Sequence, residues 1–196
     1  MAGTSISHLP PARGGLTYDD YLKMDDGLRY ELIEGELILT PSPNLWHQHL
    51  ASNIEALLRE HVKKYNLGLV LDAPFDVVPA ENVVLQPDVM YISRESYRLL
   101  TENSLKGVPD LAVEVLSPST TRRDRLHKSR LYLRYGVKEY WVADPDAQTL
   151  EVYSAQENGW LLAGSYGQED VLASPLLQGL EVPCVEIFTL PEGLEL

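Results

Sequence analysis

The chain has 196 residues, enough for a single domain with a hydrophobic core or for two small domains. Apolar residues make up 44% of it and charged residues 23%, as in ordinary globular proteins. A lone cysteine, Cys184, excludes an internal disulfide and fits a reducing, cytoplasmic location, and no apolar run approaches the length of a membrane span. The formal net charge of −13, taken alone, argues against a nucleic-acid partner.

The first half of the chain predicts two helices and a hairpin. Residues 1–15, MAGTSISHLPPARGG, lack the apolar core of a signal peptide and are expected to form a flexible tail before a single domain over 16–196. LTYDDYLKMDDG predicts a short helix with Thr17 as N-cap, and RYELIEGELILT predicts a tight hairpin. Apolar residues at helical spacing in PSPNLWHQHLASNIEALLREHVKKYNLG predict a long helix that ends at Gly68.

The second half alternates strands with short helical segments. Strands are predicted near 69–72 and 75–78, and VVLQPDVMYIS is expected to contain a strand that begins at Pro87. SRESYRLL predicts a short helix or turn, DLAVEVLS a buried strand, and TTRRDRLHKSRLYLRYG a second long helix. KEYWVAD predicts a strand, and TLEVYSAQENGWLLAGSY predicts a hairpin. Interleaved helices and strands indicate a mixed α/β or α+β fold around a central sheet.

Positive charge is concentrated in the second long helix. Six of the sixteen lysines and arginines lie between Arg122 and Arg134, and only Asp124 opposes them there. An acidic chain therefore carries one compact basic segment, which directly follows the stretch GVPDLAVEVLSPSTT at 107–121.

Two acids stand out by their placement on predicted strands. Glu114 projects from a sheet face inside an apolar run, where a carboxylate is costly to bury without a partner. Asp88 lies at the start of another strand, and the two carboxylates would converge if the strands were neighbours. Such a pair suits Mg²⁺, with the backbone carbonyl of Val115 as a third oxygen. By spacing alone, Asp88 is better explained as a turn residue, and Glu114 could equally pair with one of the arginines that follow.

Lys128 is the third candidate for chemistry. It shares a helical stripe with Asp124, Leu131, Tyr132 and Tyr135, which is partly apolar and is expected to face protein. A solvated Asp124–Lys128 pair worth about 0.3–0.5 kcal/mol is the simpler explanation from spacing alone. The tyrosines argue against full exposure.

Other polar residues carry weaker signals. His47 lies on the long helix beside the apolar stripe, where a packed or capping histidine is commoner than a ligand. Glu31 borders the hairpin, where acids are usually solvated. The sequence has no Cys–His cluster with zinc spacing, no glycine-rich phosphate loop and no Gly-x-Ser-x-Gly elbow.

Together these motifs resemble the Uma-type family of putative restriction endonucleases. The resemblance rests on RYELIEGEL, His47, QPDV, GVPDLAVEVLSPST, the Asp124–Lys128 spacing and GVKEYWVADP, in this order, and runs from about Tyr18 to about Tyr153. That family is placed in the PD-(D/E)xK nuclease superfamily. The resemblance therefore implies a restriction-endonuclease-like fold with a mixed central sheet flanked by helices.

The resemblance also implies roles for the candidate residues. Asp88 and Glu114 would be the two acids of the motif and, with the carbonyl of Val115, would hold Mg²⁺ or Mn²⁺. The lysine expected two residues after Glu114 is replaced by Leu116, and Lys128 on the following helix would take over its role.

Three further residues, Glu31, His47 and Asp124, would support the implied site. Lys128 would orient the attacking water or stabilise the developing negative charge during phosphodiester hydrolysis. The nucleic acid, expected to be DNA, would be held by the arginines of the basic segment. These are Arg122, Arg123, Arg125 and Arg130.

Three functions stay open at this point. The first is an active nuclease, and the second is a catalytically weak or inactive nuclease-fold module that binds nucleic acid or a protein partner. The displaced lysine and the net charge favour the module, whereas the presence of all three catalytic residue types favours the enzyme. The third is a hydrolase of another phosphate ester. A homodimer is left open, and no membrane partner is expected.

Overall fold

The computed structural model describes residues 15–117, 122–191 and 193, and the side chains of 122–125 lie outside that description. The predicted N-terminal tail falls almost entirely outside the described residues. The helices are α1 (Tyr18–Tyr21), α2 (Leu45–Lys64), a 3-10 helix (Arg94–Leu99), α3 (Arg122–Tyr135) and α4 (Cys184–Phe188). Within the described ranges, no helix is both long and apolar enough to cross a membrane.

Among the residues that the structure describes, thirteen strands connect these helices. They are β1 (Tyr30–Ile33), β2 (Glu36–Leu39), β3 (Gly68–Asp72), β4 (Asp76–Ala80), β5 (Val83–Leu85), β6 (Val89–Ser93), β7 (Ser104–Leu105), β8 (Leu111–Val115), β9 (Glu139–Asp144), β10 (Thr149–Gln156), β11 (Gly159–Gly167), β12 (Val171–Ala173) and β13 (Glu181–Pro183). The predicted β1–β2 and β10–β11 hairpins are both confirmed.

The mixed α/β fold is confirmed, with its strands divided between two large sheets. A six-stranded sheet has the order β11-β10-β9-β8-β6-β3, and a five-stranded sheet has the order β2-β1-β5-β4-β7. In the six-stranded sheet, β8 and β9 are parallel and are joined by α3, whereas β6 and β8 are antiparallel. β12 and β13 form a separate pair.

The two faces of the six-stranded sheet pack against different layers. Val113 and its neighbours on one face pack against Leu50 and Ile54 of α2. Ala112, on the other face, belongs to a cluster with Tyr132 of α3 and with residues of the five-stranded sheet. Because side chains alternate along a strand, Glu114 shares the face of Ala112 and points between α3 and the second sheet.

The segment Gln86-Pro87-Asp88 carries the chain from one sheet to the other. The sequence predicted that a strand would begin at Pro87, but β6 begins at Val89. Proline has no N–H to donate to a ladder. The Asp88 side chain instead caps this end of the sheet, because its Oδ2 accepts the backbone N–H of Val115 at 2.7 Å.

Helix α2 ends at Lys64 and not at Gly68 as predicted. Asn66, with φ of 53°, takes the left-handed conformation that usually favours glycine, and the N–H of Leu67 returns to the carbonyl of Val62 at 3.0 Å. Gly68 opens β3, where a Cβ would collide with the carbonyl oxygen of Ile92. This glycine therefore permits close strand pairing and does not end the helix.

Asp110 is a buried acid that ties β6 to the segment between α3 and β9. Its Oδ2 accepts the backbone N–H of Ser93 at 2.7 Å, and its Oδ1 lies 2.6 Å from Nζ of Lys138. Burial opposes ionisation, but the ion pair and the hydrogen bonds still hold the pKa of Asp110 below its usual value. The folded state therefore favours the charged form of Asp110.

Glu139 is a second buried acid and opens β9. Its carboxylate accepts hydrogen bonds from Trp141 Nε1 at 2.8 Å, Ser174 Oγ at 2.6 Å and the Leu176 N–H at 2.8 Å. Burial raises the pKa of Glu139, and the three donors partly offset that rise. These contacts attach the segment after β12 to the six-stranded sheet.

Candidate active site

A cavity of about 660 Å³ is lined by both large sheets and by α2 and α3. One wall is the β1–β2 hairpin with the segment that follows it, and another is the first turns of α2. The end of β8 and the middle of α3 complete the lining. Asp88, Glu114, Lys128, Glu31 and His47 all contribute to these walls.

The structure brings Asp88 and Glu114 together on one sheet face. Asp88 directly precedes Val89, which pairs with Val113, so it lies just beyond the ladder at the end where Glu114 lies on β8. Both side chains line the cavity, and the charge of Asp88 contributes to the raised pKa of Glu114. The two side chains are 16% and 14% exposed, respectively, so both acids are largely withdrawn from solvent while still lining the cavity.

Lys128 reaches the same point from α3. Its Nζ lies 2.7 Å from Oε1 and 2.9 Å from Oε2 of Glu114, and 3.0 Å from Oε1 of Glu31. The lysine side chain is only 12% exposed. The prediction that its helical stripe faces protein is confirmed, because Leu131 and Tyr132 on that stripe are buried.

Negative charge is in excess in this cluster, and the pKa directions follow from that excess. Burial raises the pKa of Glu114 to about 7, against the opposing effect of Lys128, and the neighbouring charges of Asp88 and Glu31 add to the rise. Burial alone would lower the pKa of Lys128, but the three carboxylates around it raise that pKa. Lys128 therefore stays an ammonium cation. Glu114 takes up a proton near neutral pH, and a second cation bound to it would favour its charged form.

Tyr132 is a site residue that the sequence did not single out. Its hydroxyl donates a hydrogen bond of 2.6 Å to Oε1 of Glu114, and the ring is fully buried. From the sequence it was only one member of a partly apolar stripe. The available signal was the spacing, because Tyr132 follows Lys128 by four residues and therefore lies on the same helix face.

His47 contacts Asp88 from the first turn of α2. The side chain of Asn44 caps the backbone N–H of His47 at 2.8 Å, and Nε2 of His47 lies 3.2 Å from Oδ2 of Asp88. Burial lowers the pKa of His47, but the hydrogen bond and the charge of Asp88 outweigh it and raise that pKa overall. Because Val115 N–H bonds to the same Oδ2, His47 and the strand together fix the orientation of Asp88.

Glu31 is buried, in contrast to the solvated acid that its place beside a hairpin suggested. Its side chain is 8% exposed, and Oε1 accepts the backbone N–H of Gln86 at 2.7 Å as well as the contact from Lys128. Strand β1 lies between β2 and β5 in its sheet, and its Glu31 lines the cavity.

The basic segment is only partly described. Arg130 is exposed, whereas Arg134 is engaged by Glu34 of the β1–β2 turn at 2.6 Å. The side chains of Arg122, Arg123, Asp124 and Arg125 lie outside the described residues. Their expected contacts with nucleic acid, and the support that Asp124 would give to Lys128, therefore stay predictions.

Asp88 and Glu114 offer two carboxylates, and this pair of oxygen donors suits a hard divalent cation. In the part of the chain that the structure describes, no group of three or more His, Cys, Asp or Glu side chains has an arrangement suited to a metal. Two neighbouring carboxylates match Mg²⁺, which commonly uses one or two carboxylates and keeps several waters. Val115 lines the same cavity beside Asp88, so its carbonyl oxygen stays the candidate third donor.

Comparison with known proteins agrees with this architecture. A crystal structure of a putative nuclease belonging to DUF820 from Anabaena variabilis matches with a TM-score of 0.72 at 20% sequence identity. The match covers 88% of this chain and 97% of that one, and at this identity it shows a shared fold. No protein with a curated description matches the chain. The family model described as Uma2, Putative restriction endonuclease, matches residues 18–189 and confirms the resemblance seen in the sequence. The chain belongs to the Uma2 family of putative restriction endonucleases.

Proposed function

We propose that the protein is a nuclease that depends on Mg²⁺ or Mn²⁺ and hydrolyses phosphodiester bonds in DNA. The observation that carries this proposal is the meeting of Asp88, Glu114 and the ammonium of Lys128 in one cavity. Two adjacent carboxylates can hold a cation, and a neighbouring lysine can act on a phosphate bound to that cation. Membership of a family described as putative restriction endonucleases supports the same activity.

Asp88, Glu114 and the carbonyl of Val115 would hold the ion. When bound, such an ion polarises the scissile phosphate and activates a water molecule for attack. His47 and the N–H of Val115 hold Oδ2 of Asp88, which leaves its Oδ1 better placed for a cation. The residues therefore orient the first acid before any ion arrives.

Lys128 would act as a cation and not as a base. The carboxylates around it raise its pKa, so its ammonium keeps the proton and cannot accept one from water. It can donate hydrogen bonds to phosphoryl oxygens as negative charge develops on them, in a site largely shielded from solvent. Stabilisation of this kind acts mainly in the transition state.

The basic segment would hold the DNA backbone beside the cavity. Arg130 is exposed on α3, two residues after Lys128, and three more arginines precede it along the helix. Contacts with phosphates release counterions, so binding should weaken as salt rises. A local basic surface would allow a protein of net charge −13 to bind a polyanion.

The test is DNA cleavage by the full chain with Mg²⁺ or Mn²⁺, on plasmid and on single-stranded DNA. We expect EDTA and the Glu114→Gln variant to abolish cleavage. Lys128→Met should lower kcat by about 10²–10³-fold, as for removal of one charge-stabilising donor. Its affinity for Mn²⁺ should persist because lysine is not a ligand. Glu60→Gln, at an exposed position of α2, is the matched control and should cleave normally.

Two observations favour the alternative, a nuclease-fold module that binds nucleic acid without cleaving it. Lys128 is already engaged by two carboxylates, and the molecule repels polyanions overall. DNA binding that weakens with salt, without cleavage under any metal, would favour this alternative. Cleavage that survives EDTA would contradict the metal-dependent mechanism. Cleavage confined to a small phosphodiester would instead indicate another phosphate ester as substrate.

A further inference from the structure

One ammonium group joins acids from two different sheets. Lys128 contacts Glu114 of β8 in the six-stranded sheet and Glu31 of β1 in the five-stranded sheet, at 2.7 Å and 3.0 Å. All three side chains are largely buried, because their exposed fractions are 12%, 14% and 8%. The proposed mechanism uses Glu114 and Lys128 but gives Glu31 no task.

Glu31 keeps its place without help from Lys128. Its Oε1 accepts the N–H of Gln86, and β1 is bonded on both sides, to β2 and to β5. The side chain of Gln86 is held in turn by Arg29 at 2.9 Å and by Asp76 at 2.9 Å. A carboxylate fixed in this way presents a stationary acceptor to the lysine.

A cation on Glu114 would conflict with the present position of Lys128. Both oxygens of Glu114 now accept from the ammonium, whereas Mg²⁺ approaches its oxygen ligands to roughly 2.0–2.1 Å. Two positive groups on the same carboxylate repel each other strongly in a shielded site. Lysine has a flexible four-carbon stem, so a displaced ammonium with no second acceptor would move to bulk water.

We propose that Glu31 is a positioning residue that retains the Lys128 ammonium in the cavity while Glu114 binds the cation. This inference rests on the proposed function, because it assumes a cation on Glu114. Glu31 takes the full ion pair when Glu114 turns to the metal, and Lys128 stays within reach of the phosphate. The second sheet thus contributes to the site through a contact with the lysine and not through the metal.

The competing role for Glu31 is that of a third carboxylate ligand. In that case the cation would occupy both acids, and Lys128 would lose both of its acceptors. The two roles therefore predict opposite behaviour of Lys128 when metal is added to the wild-type protein. If Glu31 retains the lysine, the amine of Lys128 stays protected from solvent. If Glu31 binds the metal instead, that amine becomes exposed.

The experiment measures how readily the Lys128 amine is acylated, by peptide mapping of the full chain with and without saturating Mg²⁺. Exposed Lys63 serves as the internal reference. Lys128 should stay protected with and without Mg²⁺ in the wild type. In Glu31→Gln, adding Mg²⁺ should raise its labelling by about tenfold, because a group withdrawn from solvent becomes accessible. Glu34→Gln, on the same hairpin and paired with α3 through Arg134, should behave as the wild type.

A second variant covers the case in which Glu31→Gln fails to fold. Glu31→Asp keeps the charge but shortens the side chain by one methylene, and it should give intermediate labelling with Mg²⁺. Labelling of wild-type Lys128 on addition of Mg²⁺ would overturn the proposal in favour of ligation. Protection that persists in a folded Glu31→Gln protein with Mg²⁺ would also overturn it.

A separate measurement distinguishes this inference from the proposed function. Binding of Mn²⁺ to the wild-type protein is followed by electron paramagnetic resonance. If Mn²⁺ does not bind, the metal-dependent function and the role of Glu31 both fail. If Mn²⁺ binds and Lys128 labelling does not respond to the Glu31 variants, only the role of Glu31 fails.

Discussion

Replacing Lys128 with methionine should weaken the fold as well as the site. The variant leaves Glu31 and Glu114 close together without their cation, and their side chains are only 8% and 14% exposed. Removing one partner of a buried ion pair generally costs about 3–5 kcal/mol. We expect the lower end, about 3 kcal/mol, because Glu114, whose pKa is already about 7 beside the lysine, takes up a proton near neutral pH when the lysine is removed. The methionine keeps an unbranched apolar side chain at position 128 but carries no positive charge.

The measurement is urea unfolding near neutral pH with EDTA present, so that no cation replaces the lysine. The double variant Lys128→Met with Glu114→Gln should recover about 2 kcal/mol, because only Glu31 is then left unpaired. In that variant Tyr132 can still donate its hydrogen bond, to the amide oxygen of the introduced glutamine. A loss below about 1 kcal/mol in the single variant, or no recovery in the double variant, would refute the argument that the lysine stabilises the ionised forms of two buried acids.

Two further predictions concern the buried acids outside the site. Asp110→Asn should lower the free energy of unfolding by about 2 kcal/mol near neutral pH, because it removes a charged acceptor from Ser93 and Lys138. Since folding lowers the pKa of Asp110, this difference should shrink as pH falls below about 4, and urea unfolding with equal losses at pH 7 and pH 3 would contradict it. Glu139→Gln should cost about 1–3 kcal/mol, because the amide group must turn its NH₂ towards at least one of the three donors that now bind Glu139. A thermal midpoint equal to that of the wild type would show that the donors find other acceptors.

Much of the local structure could be predicted because it depends on neighbours in sequence. Thr17 caps α1 as expected, and Asp20 completes a capping box with it. The turn at Glu34-Gly35 has both residues at positive φ, as a tight hairpin requires. The helical stripe of Lys128 also faces protein as predicted. In each case the pattern reports a period or a turn geometry that a few adjacent residues determine.

The division into two sheets could not be predicted, because strand partners are chosen by tertiary packing. The run VVLQPDVMYIS gave no sign that β5 and β6 belong to different sheets. For the same reason the burial of Glu31 was missed. A glutamate beside a hairpin is usually solvated, whereas this one meets Lys128 of α3 and the backbone N–H of Gln86. The pairing of His47 with Asp88 likewise depends on how α2 lies against the sheet.

The three residues between β5 and β6 set how much variation this region can tolerate. Gln86 bonds to Glu31 on one side, and Asp88 bonds to Val115 on the other, with a single proline between them. Both ends of this three-residue link are held by hydrogen bonds, so an inserted or deleted residue would change the distance between Glu31 and Asp88. The turn between β10 and β11 does not line the cavity, so we expect that it could lengthen with little effect there. The number of residues between β5 and β6 therefore tolerates less change than the identity of most surface side chains. A redesign of this scaffold would keep residues 86–88 unchanged.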